Sequence, residues 1–227
     1  MLIISNNTLP SSAKEKLKDY GDLILLEKNH VVYDAISNHP DIFLCQIDDL
    51  LIIAPNASNE LKETLSHKGL NIVEGVKPLG EQYPDTAIYN AVLTENYFIG
   101  NSNFIDEKII SHMGNRKIID VKQAYTRCNL LPLPGERFIT SDKGIQKQLL
   151  KSNLEVLYVN PEKIVMQDFA NGFIGGCCGV FNNKIFIAGS LNNFPEREKI
   201  TDFLKGSDII ELYDGPLLDV GSILFIP

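Results

Sequence analysis

The chain repeats one pattern five times: a strand pair, then a helix, then one more strand. Apolar runs bounded by turn residues put the strand pairs at Phe43 to Pro55, Ala87 to Gly100, Cys128 to Ser141, Phe173 to Gly189 and Leu217 to Ile226. Four of the pairs stop at a polar residue suited to opening or capping a helix, namely Asn56, Asn101, Asp142 and Ser190, spaced 41 to 48 residues apart. A unit of that size cannot bury its apolar face alone. A ring of such units can, because each sheet packs on the next and few strand edges stay open. The pattern therefore predicts an α/β fold: a five-bladed pseudo-symmetric α/β propeller, with helices outside and strand pairs turned toward a shared axis.

One repeat can be followed residue by residue. Leu50 to Pro55 is a short continuous apolar run, the pattern of a strand buried on both faces, and Asn56 ends it. Between Asn59 and Leu65 the leucines stand four apart with an acid in the first turn, which makes a helix with one apolar face. Gly69 closes that helix through the left-handed conformation glycine permits, and Asn71 to Glu74 supplies the third strand. The same helix-to-strand passage recurs from Lys14, Ile105, Gly144 and Pro195 onward. At the ends of the chain, Leu2 to Asn6 occupies the place just before the first helix, and Ile223 to Pro227 matches that place by its pattern. Both termini then belong to one blade, and residues 1–227 are expected to form a single domain whose ring is closed non-covalently.

Composition removes several functions. With 44% hydrophobic and 22% charged residues, the chain can bury a substantial core. A formal charge of -8 argues against phosphate backbones and anionic membrane surfaces as partners. No apolar run approaches the roughly 20 residues that span a bilayer, so a cytoplasmic location is the default. The four cysteines, Cys45, Cys128, Cys177 and Cys178, lack metal-ligand spacing and read as free thiols, and the histidines do not cluster. Neither a metal nor another cofactor is expected.

The repeat register singles out a group of chemically able residues. Counted back 15 or 16 residues from each cap, equivalent positions carry Asp41, Asp85, Arg127 and Gly175, which should gather at one mouth of the axis. His39, Tyr83, Lys122, Gln123, Tyr125, Cys128 and Asp219 stand near them in the repeat. Convergent charges of both signs suit a small polar, zwitterionic or cationic ligand. The same His-Pro-Asp and Tyr-Pro-Asp triplets also make good turns into strands, since residues before proline are held extended and aspartate accepts local backbone bonds. Cys128 beside Arg127 is the candidate nucleophile, because a neighbouring cation favours thiolate; a buried structural thiol is the other reading. Gly175-Gly176 with Gly179 lacks the lysine and strand-to-helix setting of a phosphate loop.

Six segments carry a resemblance: His39-Pro40-Asp41, Tyr83-Pro84-Asp85, Val121 to Cys128, Ser141 to Ile145, Gly172 to Gly176 and Asp214 to Ile223. Together with the five repeats they resemble the pentein fold of guanidino-group-modifying enzymes, and more narrowly a bacterial family of that fold with no assigned activity. The resemblance implies a cysteine nucleophile in the region Asp214 to Ile223, a histidine at the position of Tyr125 and an acid near Asn90. This chain has Asp219, Val220 and Gly221 in the first place, so in this register all three roles are vacant. Two readings follow. One is an enzyme on a guanidino, amidine or amino-acid-like molecule working through Cys128 with His39, with Asp41, Asp85, Asn90, Lys122, Gln123, Tyr125, Arg127 and Asp219 holding the ligand. The other is a non-catalytic pentein, a ligand binder or a protein-interaction module.

Overall fold

The computed structural model describes residues 1–227 and places five three-stranded sheets in sequence. In the first blade Leu44–Ile47 pairs antiparallel with Leu50–Ile53, which pairs parallel with Asn71–Glu74. The second blade repeats this with Val92–Leu93, Tyr97–Gly100 and Lys117–Asp120, and the third with Leu130–Leu133, Arg137–Thr140 and Glu155–Tyr158. Cys178–Phe181, Lys184–Ile187 and Asp208–Glu211 make the fourth. The antiparallel step needs only a tight turn, whereas the parallel step needs a crossover, which is why a helix always follows the second strand.

The fifth blade joins the two ends of the chain. Leu224–Ile226 pairs antiparallel with Leu2–Ile4, and Leu2–Asn6 pairs parallel with Asp22–Leu26. The C-terminal strand thus takes the first place and the N-terminal strand the second, so the place that Ile223 to Pro227 matches by its pattern is held by Leu2–Asn6. This corrects the reading of Leu217 to Ile226 as a strand pair, since Leu218 makes only an isolated parallel bridge to Val165. The reason is topological: only the strand that leads directly into a helix can pair parallel with the strand after it.

Two further expectations shift. A helical turn precedes the first strand in four blades, at Pro40–Phe43, Asp85–Ala87, Thr126–Asn129 and Gly175–Cys177, so those strands begin later than the apolar runs suggest. The caps also move. Ser58 accepts the Leu61 N–H and Asp106 the Lys108 N–H, while Asn56 instead fixes the loop at Leu79 through both its N–H and its carbonyl at 2.9 Å. Asp142 does cap its helix, and Ser190 caps only the short turn Leu191–Asn193. Gly69 closes its helix at φ +74°, as read.

The second strands are almost wholly buried, and the third strands face outward. Each outer helix contributes a narrow buried stripe, such as Ala13 and Leu17, or Ile145 and Leu149. The first strands surround the axis: all five line one cavity of about 270 Å³ at the end where the hairpins turn. Close backbone contacts join the blades around that axis. Gly175 lies against the carbonyls of Arg127 and Cys128, and Gly221, at φ +68°, lies against His39, leaving no room for a side chain at either place. No helix is long and apolar enough to cross a membrane.

Candidate functional site

At the axis end opposite the hairpins, the turns before the first strands bring several polar side chains together in the interior. Pro40 starts the first turn with its φ already set, and the Asp41 N–H donates to the Gly221 carbonyl at 3.1 Å. Asp41 is therefore fully buried. Its Oδ2 accepts the Ser222 hydroxyl at 2.6 Å and lies 3.3 Å from the Cys128 sulfur, while its Oδ1 has no hydrogen-bond partner. Asn90 joins three blades at this point. Its amide donates to the Asp41 carbonyl at 2.8 Å and reaches the Cys128 sulfur at 3.1 Å, and its Oδ1 accepts the Cys128 N–H at 3.2 Å.

Asp219 is the second buried carboxylate. It accepts backbone N–H groups from Gly221 at 3.0 Å and Phe173 at 2.8 Å, and His39 Nδ1 lies 3.9 Å from it. Burial holds its carboxyl above the usual range, and the Asp41 charge adds to that; His39 and the two backbone donors pull the other way. The same surroundings act on the thiol. Burial first, then the Asp41 and Asp219 charges, push Cys128 well above an ordinary cysteine. The expectation that Arg127 would favour a thiolate is thus reversed by burial, reinforced by the two acids. Cys45 and Cys178 are each pushed up to about 12, mainly by burial, and Cys177 is also raised.

Hydroxyl groups roof this cluster. Tyr33 and Tyr125 meet at 3.1 Å, Tyr125 also bonds Thr86, and the Tyr83 ring lies 5.6 Å from that of Tyr125. Beyond the roof is an open pocket of about 500 Å³ that includes Tyr33, Tyr83, His30 and Glu81. Asp41, Cys128 and Asp219 are all buried, so the cluster is closed to solvent.

Several predicted residues do not join it. Asp85 is exposed, because its turn begins at Asp85 itself whereas Asp41 is second in its turn; the next residue, Thr86, faces inward instead. Lys122 is exposed beside a separate surface pocket. Gln123 shapes the turn, accepting the Tyr125 N–H at 3.1 Å. The Arg127 backbone belongs to this end, but its side chain runs along the axis and donates to the carbonyls of Gly175 at 3.0 Å, Cys178 at 3.3 Å and Leu130 at 3.4 Å. Two carboxylates converge, not three, and Arg127 acts on them through its charge and makes no ion pair with either. Sequence reasoning missed Ser222, which is buried at φ +72°. Its signal was the Gly221-Ser222 pair at the end of the segment where the resemblance places a nucleophile.

A family model described as a family of unknown function (DUF6873) matches residues 3–224. The chain belongs to that family. No curated protein matches the sequence. Among solved structures, the chain is similar to DDAH from Pseudomonas aeruginosa complexed with citrulline, at 13% identity and a TM-score of 0.57, covering 92% of this chain and 91% of that one. It is also similar to SxtG, an amidinotransferase from Microseira wollei, at 11% identity and a TM-score of 0.56, with coverage of 97% and 82%. A third is agmatine deiminase from C. jejuni, at 12% identity and a TM-score of 0.53, with coverage of 93% and 74%. At these identities the likeness is one of fold: this family member is a pentein, the five-bladed propeller read from its repeats.

Proposed function

We propose that the acid end of the axis binds the cationic head of a small guanidino, amidino or amino-acid-like molecule, and that the chain acts as one ligand-binding domain and not as a thiol hydrolase. The observation that carries this reading is the unpartnered Oδ1 of a fully buried Asp41. A carboxylate oxygen taken out of water without a donor is costly, and native interiors rarely leave one so. A planar cation with paired N–H donors would satisfy it and offset the charge of Asp219 beside it. The structural relatives named as an agmatine deiminase and an amidinotransferase support the ligand class.

The same geometry argues against nucleophilic attack. Cys128 sits as a neutral thiol that donates to Asp41 and accepts from Asn90, and the hydroxyl of Ser222 is engaged by the same carboxylate. The ligand would enter by parting the Tyr33–Tyr125 contact. Calorimetric titration with arginine, agmatine and methylguanidine is the test. Saturable binding of these cations, and none of neutral citrulline, is expected, with no product on prolonged incubation. Product formation that stops on alkylating Cys128 would restore the enzyme reading. If no cation binds and the protein instead co-purifies with a macromolecule, the interaction-module reading takes its place.

A further inference from the structure

The hairpin end of the axis differs chemically from the acid end. Its cavity of about 270 Å³ has mixed walls, with Leu44, Val92, Leu93, Val180 and Phe225 beside polar groups such as Gln46 and Thr94, and the Arg127 side chain reaches into it. That volume lies just below the ~300–1,000 Å³ of typical ligand sites. A guanidinium carries five N–H donors. The three bonds of Arg127 come from Nη1 and Nη2 and end on backbone carbonyls, so none neutralises the charge and Nε takes no part in them. Burial holds this guanidinium below its ordinary value, against the opposing pull of the Asp41 and Asp219 charges. Two acids stand at the rim. Asp48 is engaged by Arg116 through two contacts at 2.6 and 2.7 Å, and Glu95 is exposed.

We propose that this cavity is a second binding site, for a compact monocarboxylate with an apolar body. Its carboxylate would take the free Nε and Nη2 donors of Arg127, a planar bidentate match, while its hydrocarbon part lies on the inner strands. Asp48 and Glu95 at the rim disfavour a phosphate or other multiply charged anion, which the single cation on the floor could not balance. The site uses none of the side chains of the cation reading for the other end, and only the charges of Asp41 and Asp219 reach Arg127 from there.

Isovalerate and its neutral amide, isovaleramide, make a suitable pair of probes of nearly equal shape. Titrated into the intact protein with the Arg127 Nε–H followed by NMR, isovalerate should shift that signal saturably and the amide should not. Arg127→Gln should weaken binding about tenfold or more, as expected for losing a charged hydrogen bond. Leu93→Trp, which fills the cavity and leaves Arg127 in place, should abolish it. No saturable shift in the wild-type protein, an equal response to acid and amide, or undiminished binding by Leu93→Trp would each overturn the proposal. The wild-type titration decides even if Arg127→Gln fails to fold. Guanidine binding at the acid end has no bearing on it.

Discussion

The two ends of the propeller axis bury opposite charges in different ways. At one end Asp41 and Asp219 are sealed beneath tyrosines and fastened to backbone N–H groups and a hydroxyl, with one oxygen left over. At the other, a single guanidinium is fastened to carbonyls and opens onto a cavity with apolar and polar walls. The ends are built from the same strands, so the difference lies in the connections: helical turns close the acid end, and tight hairpins leave the other open. A pseudo-symmetric ring can thus present two unlike sites without breaking its repeat.

The strongest way to break this comparison is to open the ring. Leu224 and Phe225 wall the arginine cavity, and their strand closes the fifth blade against Leu2–Ile4. Deleting residues 223–227 should abolish cooperative unfolding, because it exposes the edge of Leu2–Asn6 and removes buried core. A truncated chain that still melted in one sharp transition near the wild-type temperature would refute the closure argument.

A smaller change should damage the acid end first. Gly221→Ala places a methyl group against His39 at φ +68°, and a loss of about 2–4 kcal/mol in urea unfolding is expected. Because Gly221 also receives the Asp41 N–H, arginine binding should fall while the isovalerate response of Arg127 persists. Equal loss at both ends would show that the ends are not separable.

Acidity offers a gentler probe. The carboxyl of Asp219 titrates above its ordinary value of 3.8 in the folded protein, so the folded state holds this proton more tightly than the unfolded state. The stabilisation from binding it is fully present below 3.8 and is lost as pH rises through the raised folded value. Wild-type stability should therefore improve relative to Asp219→Asn as pH falls from 7.5 to 4.5, measured by urea unfolding of both proteins. A pH-independent difference would mean that His39 and the backbone donors fully offset the burial. The smallest effect is expected at Asp85. It is exposed and apart from both sites, so Asp85→Asn should change stability by less than about 0.5 kcal/mol and leave arginine affinity unaltered.

The repeat, the second strands and the sharing of one blade by both termini were legible because hydrophobic periodicity and turn residues are local signals. The register that aligned Asp41, Asp85, Arg127 and Gly175, with Cys128 and Asp219 near them, is local too; of these, Asp41 lies 3.3 Å from the Cys128 sulfur and the Asp219 charge acts on the same thiol. What the sequence could not decide was direction. Whether a residue in a helical turn faces the axis depends on where the turn starts, and one residue rotates a side chain by about a third of a circle; hence Asp41 is buried and Asp85 is not. Arg127 shares the backbone neighbourhood of the acids, yet its long side chain follows free carbonyls to the far end, a choice made by blades far apart in sequence. Ser222 and the tyrosine roof belong to the same class. By itself the sequence determined the propeller, since each repeat must bury its apolar strands against the next. Only the packing of five blades around one axis decided which polar groups lost their water together, and so where the two candidate sites lie.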